Sequence, residues 1–499
     1  MFKEKPFIYP FQTPGGYYIY DVNTNSILKT RKSVYYLLLN KTQPDENDSV
    51  EGKAVISKMV EDGFLSSNRI KEIFHSESDI LPYILSNRLH TITLQVTHQC
   101  NLRCSYCVYS GGYLNRRHSD KAMSLETAIK GIDFLINNSS DSRRLNIGFY
   151  GGEPLLRFDF IKKCIEYAEE KAEGKTLSFN ITSNGTIVDD KKIEYFEAHD
   201  VNLMISLDGA KEVHDRNRRF ANGGGSFDKI MENLETVKRK FPEYYKKITF
   251  NAVIDPQNDF SCANEFFAGY DIVKDSFINS SIINYEYSEK EIDVSDDFNI
   301  KWDYEVFKLF LSKVDRLDEK YVSKLMLPYF DRLKTSMYNK RKTTRSLPDK
   351  VHHGGPCVPG AQRLFMNVRG DFFPCERVSE VSEVMKIGNV DEGFYIDKVQ
   401  RLLNIGKLTE DKCKNCWSFR FCTLCAASAD NLTDLSPEHK LKRCSDVKNL
   451  TGDIIKNYCA LAELGYKFGD NEKPVFIYKD IEGGEYNDSR ERESDCISF

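Results

Sequence analysis

The sequence contains no apolar stretch long enough to cross a membrane. Its longest apolar runs, such as residues 34–39, are far shorter than the ~20 residues that a spanning helix needs. Residues 1–11 lack the apolar core of a secretory signal peptide, so we expect no export signal. Neither sign of charge dominates, because 70 basic residues face 75 acidic ones for a net charge of -5. This balance argues against a general nucleic-acid or anionic-membrane surface.

Cysteine is present in unusual clusters. Of the 14 cysteines, three lie within residues 100–107 and seven within residues 357–444. A secreted disulfide scaffold would be short and rich in cysteine throughout. Tight spacings in a large chain without an export signal instead indicate metal ligation in a reducing compartment, so we expect a cytoplasmic protein.

Hydrophobic patterns divide the chain into five segments. Residues 1–85 read as a hairpin, with strands at 17–20 and 26–30, followed by two helices. Residues 86–300 hold six strand–helix repeats, whose short apolar strands suit a parallel sheet and predict an α/β fold, either doubly wound or a partial TIM-like (β/α)6 barrel. Residues 301–350 read as linking helices, residues 351–465 as a cysteine-rich domain and residues 466–499 as a polar tail.

The first cysteine cluster follows the first strand of these repeats. Cys100, Cys104 and Cys107 have the spacing C-x3-C-x2-C. Three thiolates on one loop can hold three irons of a [4Fe–4S] cube and leave the fourth iron open for a substrate or cofactor. Loops after parallel strands line the active-site end of such folds. The alternative is a zinc site completed by His98 or by a distant ligand.

This loop resembles the signature of the radical S-adenosylmethionine (SAM) enzymes, including the aromatic Tyr106 before the last cysteine. The resemblance implies a [4Fe–4S] cluster whose open iron chelates the amino and carboxylate groups of SAM. It also implies reductive cleavage of SAM to methionine and a 5′-deoxyadenosyl radical.

Three further segments resemble motifs of the same family at the ends of the next three strands. Together with Tyr106, the residues thereby implied to contact SAM are Gly151, Gly152, Glu153, Ser183, Asn184, Ser206, Asp208 and Arg218. Glycines let the backbone approach a ligand closely, and Glu153 supplies an acceptor for the methionyl ammonium. Arg218 is favoured over Arg216. His214 and Asp215 also suit a local pair without a binding role.

The second cysteine group resembles the SPASM extension, which carries two auxiliary iron–sulfur clusters. By resemblance, the distal cluster is held by Cys413, Cys416, Cys422 and Cys444, and the nearer one by Cys357, Cys375 and Cys425. The spacing departs from the family pattern, since two residues rather than three separate Cys422 from Cys425. A pair of zinc ribbons is the alternative.

Counting ligands suggests how a substrate is held. Two fully ligated cubes need eight ligands, whereas this group offers seven cysteines. One iron of the nearer cluster is then open, unless a non-cysteine ligand fills it, and thiolate is a favourable ligand for such an iron. We therefore expect a substrate cysteine there. Cys496 in the tail is a further thiol. In an alternative interpretation, it reaches the active site or supplies a cluster ligand.

Glu376 directly follows Cys375. Related sulfatase-maturating enzymes carry an aspartate at this place as a proposed base, which makes Glu376 a catalytic candidate. A plain surface charge is the alternative.

The N-terminal segment resembles the winged-helix recognition element of peptide maturases, which binds a leader peptide as an added strand. Together the resemblances imply a maturase of a ribosomally made, cysteine-containing precursor peptide, with three [4Fe–4S] clusters and SAM. Like the sactipeptide and ranthipeptide synthases, it would form thioether crosslinks and take electrons from a flavodoxin or ferredoxin. The alternatives are carbon–carbon crosslinking, formylglycine formation, or a zinc-binding peptide adaptor without catalysis.

Overall fold

The computed structural model describes residues 4–40, 46–109, 113–114, 116–258, 260–283, 287–288, 294–469 and 475–477. Cys496 lies outside these residues. The chain divides into two compact units: unit 1 comprises residues 1–69, 341–347 and 467–499, and unit 2 comprises residues 70–340 and 348–466. None of the described helices combines the length and the apolar composition that a membrane crossing requires.

Unit 1 is a small sheet with two helices. Strands β1 (Ile8–Thr13), β2 (Gly16–Asp21) and β3 (Ser26–Thr30) form an antiparallel meander, followed by helices α1 (Lys32–Leu38) and α2 (Glu46–Glu61). Sheet and helices share a core that includes Ile19, Leu28, Val34, Val55 and Met59. The predicted hairpin is confirmed.

The two sides of this sheet differ in how readily another strand can pair with them. Strand β14 (Val475–Ile477) lies parallel to β3, with Val475 opposite Ile27, so the strand order is β1-β2-β3-β14. At the other side, β1 contains Pro10. Proline lacks an N–H and blunts an edge strand against added partners. It also explains why the sequence pattern did not predict β1.

Unit 2 is built on six parallel strands that lie side by side in chain order, which confirms the α/β prediction. The strands are β4 (Thr91–Thr97), β5 (Arg144–Gly151), β6 (Thr176–Ser183), β7 (Val201–Ser206), β8 (Thr249–Ile254) and β9 (Ile278–Ile282). The helices before and between them are α3 (Leu81–Asn87), α4 (Leu125–Asn137), α5 (Phe158–Lys171), α6 (Asp190–Ala198), α7 (Lys211–Asn217), α8 (Phe227–Lys240), α9 (Pro242–Tyr245) and α10 (Phe260–Gly269).

The C-terminal part of unit 2 continues the same sheet. After α11 (Asp296–Lys313) and α12 (Leu327–Lys334), the short strand β10 (Phe365–Met366) pairs in parallel with β4. Three antiparallel strands then complete a ten-stranded sheet: β11 (Asp371–Phe373), β12 (Gly388–Asn389) and β13 (Gly393–Phe394). The remaining helices are α13 (Ile396–Leu403), α14 (Glu410–Cys413), α15 (Pro437–Lys442) and α16 (Cys444–Glu463).

The parallel strands bring the predicted site residues to one edge of the sheet. Their carboxyl ends all point the same way, so the loops that follow β4, β5, β6 and β7 are neighbours. Buried apolar side chains such as Leu94, Phe149 and Ile205 anchor these strands in the core. The polar residues that follow each strand are therefore held on rigid elements.

Candidate active site and auxiliary cysteine groups

The first cysteine loop follows β4 and is tied to the loop after α7. The backbone N–H of Arg103 donates to the carbonyl of Arg219 at 2.7 Å, and that of Ser105 donates to the carbonyl of Asn217 at 2.9 Å. The Ser105 hydroxyl also donates to Asn217 Oδ1 at 2.5 Å. These bonds fix the loop before any metal binds.

The three thiols of this loop interact with one another. Cys104 is buried, and Cys100 and Cys107 are partly buried. Burial is the main reason that the pKa of Cys100 and of Cys104 rises to about 12, and the neighbouring thiols of the loop raise both pKa values further. Thiolates in this setting are favourable only when a cation binds them.

The donor set of this loop fits an iron–sulfur cube. Its three cysteine thiols, of which Cys104 is buried and the other two partly buried, are the ligand type and number that leave one iron of a cube open. The ring nitrogens of His98 lie 3.1 Å from Ser119 Oγ and 3.1 Å from Gln95 Oε1, so this side chain is engaged elsewhere. A zinc ion needs ligands that converge on one point, whereas each iron of a cube takes its own thiolate.

Gly151 and Gly152 let the end of β5 lie against the start of the cysteine loop. The N–H of Gly152 donates to the carbonyl of Thr97 at 2.8 Å. A Cβ on Gly151, whose φ is +135°, would lie 2.3 Å from the Thr97 oxygen, and one on Gly152 would lie 2.0 Å from the Gln99 oxygen. No side chain fits either position, so the two glycines are needed for this close approach.

Glu153 connects the ends of β5 and β6. Its Oε1 accepts the N–H of Leu155 at 3.0 Å and the hydroxyl of Ser183 at 2.9 Å, and its Oε2 accepts the N–H of Asn184 at 2.7 Å. Burial raises the pKa of Glu153 to about 7, and these donors oppose the rise. The carboxylate thus organises the loop that follows β6.

Asn184 extends this connection to the cysteine loop. Its side-chain amide donates to Asn101 Oδ1 at 2.8 Å and lies 3.8 Å from Cys100 Sγ. Asn101 in turn donates to the hydroxyl of Thr186 at 2.7 Å. Sequence reasoning identified Asn184 and missed Asn101, although Asn101 lies directly after the first cysteine.

The buried residues Asp208 and Arg218 form a cluster with Tyr106, a partly buried residue of the cysteine loop. Arg218 Nε lies 2.9 Å from Asp208 Oδ2, and the Tyr106 hydroxyl donates to the same oxygen. The Arg218 guanidinium lies 5.2 Å from the centre of the Tyr106 ring, a cation–π arrangement. Arg218 also lowers the pKa of Cys104, opposing the effect of burial. Three predicted SAM contacts are therefore brought together.

The neighbouring predicted residues take other places. Ser206 is buried at the end of β7, and the exposed Arg216 donates to Asn258 Oδ1. His214 is buried, with Nε2 at 3.0 Å from Ser226 Oγ. Asp215 accepts the N–H of Ser226 at 2.8 Å and thereby supports the start of α8. His214 and Asp215 thus have local structural partners, as in the alternative considered for them.

Three cysteines of the second group lie near one another. Burial raises the pKa of Cys375 to about 12, with smaller contributions from Glu376, Cys425 and Cys357. The pKa of Cys357 is likewise raised by burial and then by Cys425. We call Cys357, Cys375 and Cys425 the near group. The Glu376 carboxylate accepts a hydrogen bond from Arg363 at 3.1 Å, so this catalytic candidate is paired with a cation.

The other four cysteines form a separate distal group, namely Cys413, Cys416, Cys422 and Cys444. Burial raises the pKa of Cys422 to about 11, with contributions from Cys416 and Cys413, and the pKa of Cys444 is raised by burial, Cys413 and Cys416. Cys422 thus interacts with Cys416 and Cys413, whereas Cys425 interacts with Cys357 and Cys375, although only two residues separate Cys422 from Cys425.

Sequence reasoning missed a buried ion pair between the loop after the third cysteine and the C-terminal part of unit 2. Arg116 Nε donates to Glu380 Oε1, and both side chains are at least nine-tenths buried. Gln95 Nε2 donates to the same carboxylate oxygen at 2.7 Å and to the Tyr109 hydroxyl at 2.8 Å. No sequence motif marks this pair, because its partners are 264 residues apart.

Comparison with known proteins places this geometry in context. Residues 94–264 match the model of the Radical SAM superfamily. The cysteine-type anaerobic sulfatase-maturating enzyme of Clostridium novyi is 29% identical over 339 residues, which cover 65% of this chain and 83% of that protein. The radical SAM cyclopropyl synthase TigE of Paramaledivibacter caminithermalis is 26% identical over 221 residues, which cover 42% of this chain and 45% of that protein.

A solved structure supports the fold. The structure of native anSMEcpe with bound AdoMet superposes with a TM-score of 0.56 at 20% identity, and the match covers 74% of this chain and 99% of that chain. Residues 94–264 therefore have the α/β fold of the Radical SAM superfamily, and the chain is similar to anaerobic sulfatase-maturating enzymes and to the cyclopropyl synthase TigE.

Proposed function

We propose that this chain is a maturase of a ribosomally made precursor peptide and that it links cysteine sulfur to the carbon of an acceptor residue. The observation that carries the proposal is the near group, where three thiols lie close enough to raise one another's pKa. Cys375 follows β11, a strand of the same sheet as β4, which leads into the first cysteine loop. Three thiols leave one iron of a cube for a ligand from outside the chain. A substrate thiolate suits that place chemically.

The first cysteine loop would hold a [4Fe–4S] cluster that, with SAM, supplies a hydrogen-abstracting radical. Around it the chain's own residues position SAM. Gly151 and Gly152 bring backbone close to the loop, and Glu153 holds Asn184 in place. Arg218 and Asp208 contribute a buried, charge-paired wall on the other side. Such fixed polar groups orient a bound ligand without rearranging during the reaction.

The atoms and electrons of the crosslinking reaction balance. One C–H bond and one S–H bond are replaced by one C–S bond, so the peptide loses two hydrogens for each link. One hydrogen atom goes to the adenosyl radical. The thiol proton is released, and the remaining electron passes to a one-electron acceptor, for which the auxiliary clusters are suited.

Unit 1 supplies a surface for the precursor. The match to anSMEcpe accounts for nearly all of that protein but leaves about a quarter of this chain unmatched. A leader peptide can add a strand to a sheet edge through backbone hydrogen bonds. Because Pro10 blunts β1, we assign the leader to the side of β3 on which β14 pairs, so that a bound leader takes the place of β14.

The test is mass spectrometry of a precursor peptide co-expressed with this chain. A thioether predicts the loss of two hydrogens per link and cysteines that resist alkylation. A carbon–carbon link also loses two hydrogens but leaves cysteines open to alkylation, which would contradict the proposal. Cys100→Ala should abolish both the crosslink and 5′-deoxyadenosine formation, whereas Cys164→Ala, a buried cysteine of α5, should retain both.

Formylglycine formation is the second candidate, favoured by the homology to sulfatase-maturating enzymes. In that case the adenosyl radical would take one hydrogen atom from the cysteine Cβ, Glu376 would take a proton, and the remaining electron would pass to a one-electron acceptor. Water would then replace the sulfur of the resulting thioaldehyde, which would leave as hydrogen sulfide. An aldehyde-reactive probe distinguishes the two products. Labelling of the product by such a probe would favour this candidate over the thioether.

A further inference from the structure

Lys440 is a buried cation without a carboxylate partner among the described residues. Its side chain is 1% exposed. The ammonium donates to the carbonyl of Ile405 at 3.0 Å and to the hydroxyl of Thr409 at 2.9 Å, and it lies 4.0 Å from Cys413 Sγ. The ionisable groups that act on it are cysteines of the distal group, Cys413, Cys422 and Cys444.

A buried ammonium needs a compensating anion, because its removal from water costs several kcal/mol. Carbonyl and hydroxyl oxygens solvate it only in part, and neutral thiols carry no charge. Four thiolates outnumber the positive charge of an iron–sulfur core, so a cluster ligated by the distal group is an anion. In a site of low dielectric constant, the electrostatic attraction between this anionic cluster and the Lys440 ammonium is strong.

We propose that Lys440 is the counter-charge of the distal auxiliary cluster and raises its reduction potential. The inference rests on the proposed function, since it assumes that the distal group holds a cluster. Reduction adds one negative charge to the cluster, and a fixed cation nearby stabilises the reduced form more than the oxidised form. Lys440 therefore acts through the cluster, as a tuning residue rather than a catalytic one.

The charged residues around the near group differ from those around the distal group. Glu376 raises the pKa of Cys375, and Arg363 and Arg377 lie 3.1 Å and 3.7 Å from the Glu376 carboxylate. Arg363 also lowers the pKa of Cys357. The arginines near this group thus have a carboxylate partner, whereas the Lys440 ammonium contacts neutral oxygens and a cysteine of the distal group.

The experiment is an anaerobic redox titration of the iron-loaded holoenzyme, followed by electron paramagnetic resonance. Lys440→Gln should lower the midpoint potential of one cluster, so that its reduced-to-oxidised ratio at the wild-type midpoint falls at least tenfold, equal to about 59 mV for one electron. Lys440→Arg should keep the wild-type potential. The matched control is Lys442→Gln on the same helix, an exposed lysine that should change no potential.

The outcomes separate this inference from the proposed function. If a Lys440→Gln variant holds all of its iron–sulfur clusters and their midpoint potentials equal those of the wild type, the inference is overturned. If that variant loses one cluster while Lys440→Arg keeps it, the need for a cation is supported, whereas loss in both variants would overturn it. A wild-type protein with iron and sulfide for only one cluster would contradict the proposed function itself.

Discussion

Arg218 and Asp208 form an ion pair at 2.9 Å, with side chains that are 8% and 2% exposed. Replacing Arg218 by Met leaves the Asp208 carboxylate buried without its cation, which typically costs about 3–5 kcal/mol of unfolding free energy. We expect Arg218→Met to lower thermal stability strongly and to abolish SAM cleavage. Calorimetry and quantification of 5′-deoxyadenosine, both under anaerobic conditions, measure the two effects.

Arg216 provides the control for this pair. It lies two residues away, is exposed and contacts a neutral amide, Asn258. Arg216→Met should therefore retain SAM cleavage and most of the stability. Equal losses in both arginine variants would show that the Asp208 pair has no special role.

Gly152 is predicted to tolerate no side chain. An alanine Cβ would lie 2.0 Å from the carbonyl oxygen of Gln99, a backbone atom of the cysteine loop that cannot move away cheaply. We expect Gly152→Ala to displace this loop and to lower the iron content of the first cluster. Gly269→Ala is the control, because its Cβ would meet nothing within 4 Å. Iron analysis after anaerobic reconstitution compares the two, and equal iron content would refute the steric argument.

Because His214 is buried, we expect the unfolding free energy to depend on pH. Burial is the main reason that the pKa of His214 falls to about 4. Arg218 contributes to this fall, whereas Asp208 and Asp215 oppose it. An unfolded histidine titrates near 6.5. Between these values the unfolded chain binds a proton that the folded chain excludes, so the unfolding free energy falls as the pH drops from 6.5 to 4. The full effect is on the order of 3 kcal/mol.

Thermal melts across this pH range test the His214 prediction. His214→Gln should flatten the acid side of the stability profile, because glutamine does not titrate. His90→Gln, at an exposed histidine, should keep the wild-type profile. An identical acid dependence in all three proteins would contradict the assignment.

The pairing of β14 with β3 predicts that the tail competes for the proposed leader edge. A chain that ends at residue 469 lacks β14 and should bind a fluorescent peptide of residues 470–480, measured by anisotropy. The full chain should bind this peptide at least about tenfold more weakly, because its own strand occupies the edge. A chain that ends at residue 477 keeps β14 and should behave like the full chain. Equal affinities for all three would contradict competition.

Local patterns in the sequence predicted the fold of unit 2, whereas the assignment of its cysteines to groups came from the resemblance to known families. Strands such as β6 and β7 are short segments between helical patterns, and Cys100 and Cys104 lie within one loop. Such signals come from residues that are close together in the sequence, so they can be recognised without knowing any tertiary contact.

Other features arise only when distant segments meet. β14 pairs with a strand more than 440 residues earlier, and Arg116 contacts Glu380 across 264 residues. Lys440 looks like one of several lysines at the end of α15, and its burial depends on Ile405 and Thr409 from another segment. No periodicity in the sequence marks these contacts, since their energy depends on packing and desolvation.

The parallel pairing of β10 with β4 joins the cysteine-rich portion to the sheet of the six parallel strands. Phe365 lies opposite Thr93, so the strand that leads into the first cysteine loop is also hydrogen-bonded to the segment that leads to Cys375. Removal of everything after residue 350 would strip β4 of this neighbour and expose an apolar strand edge prone to aggregation.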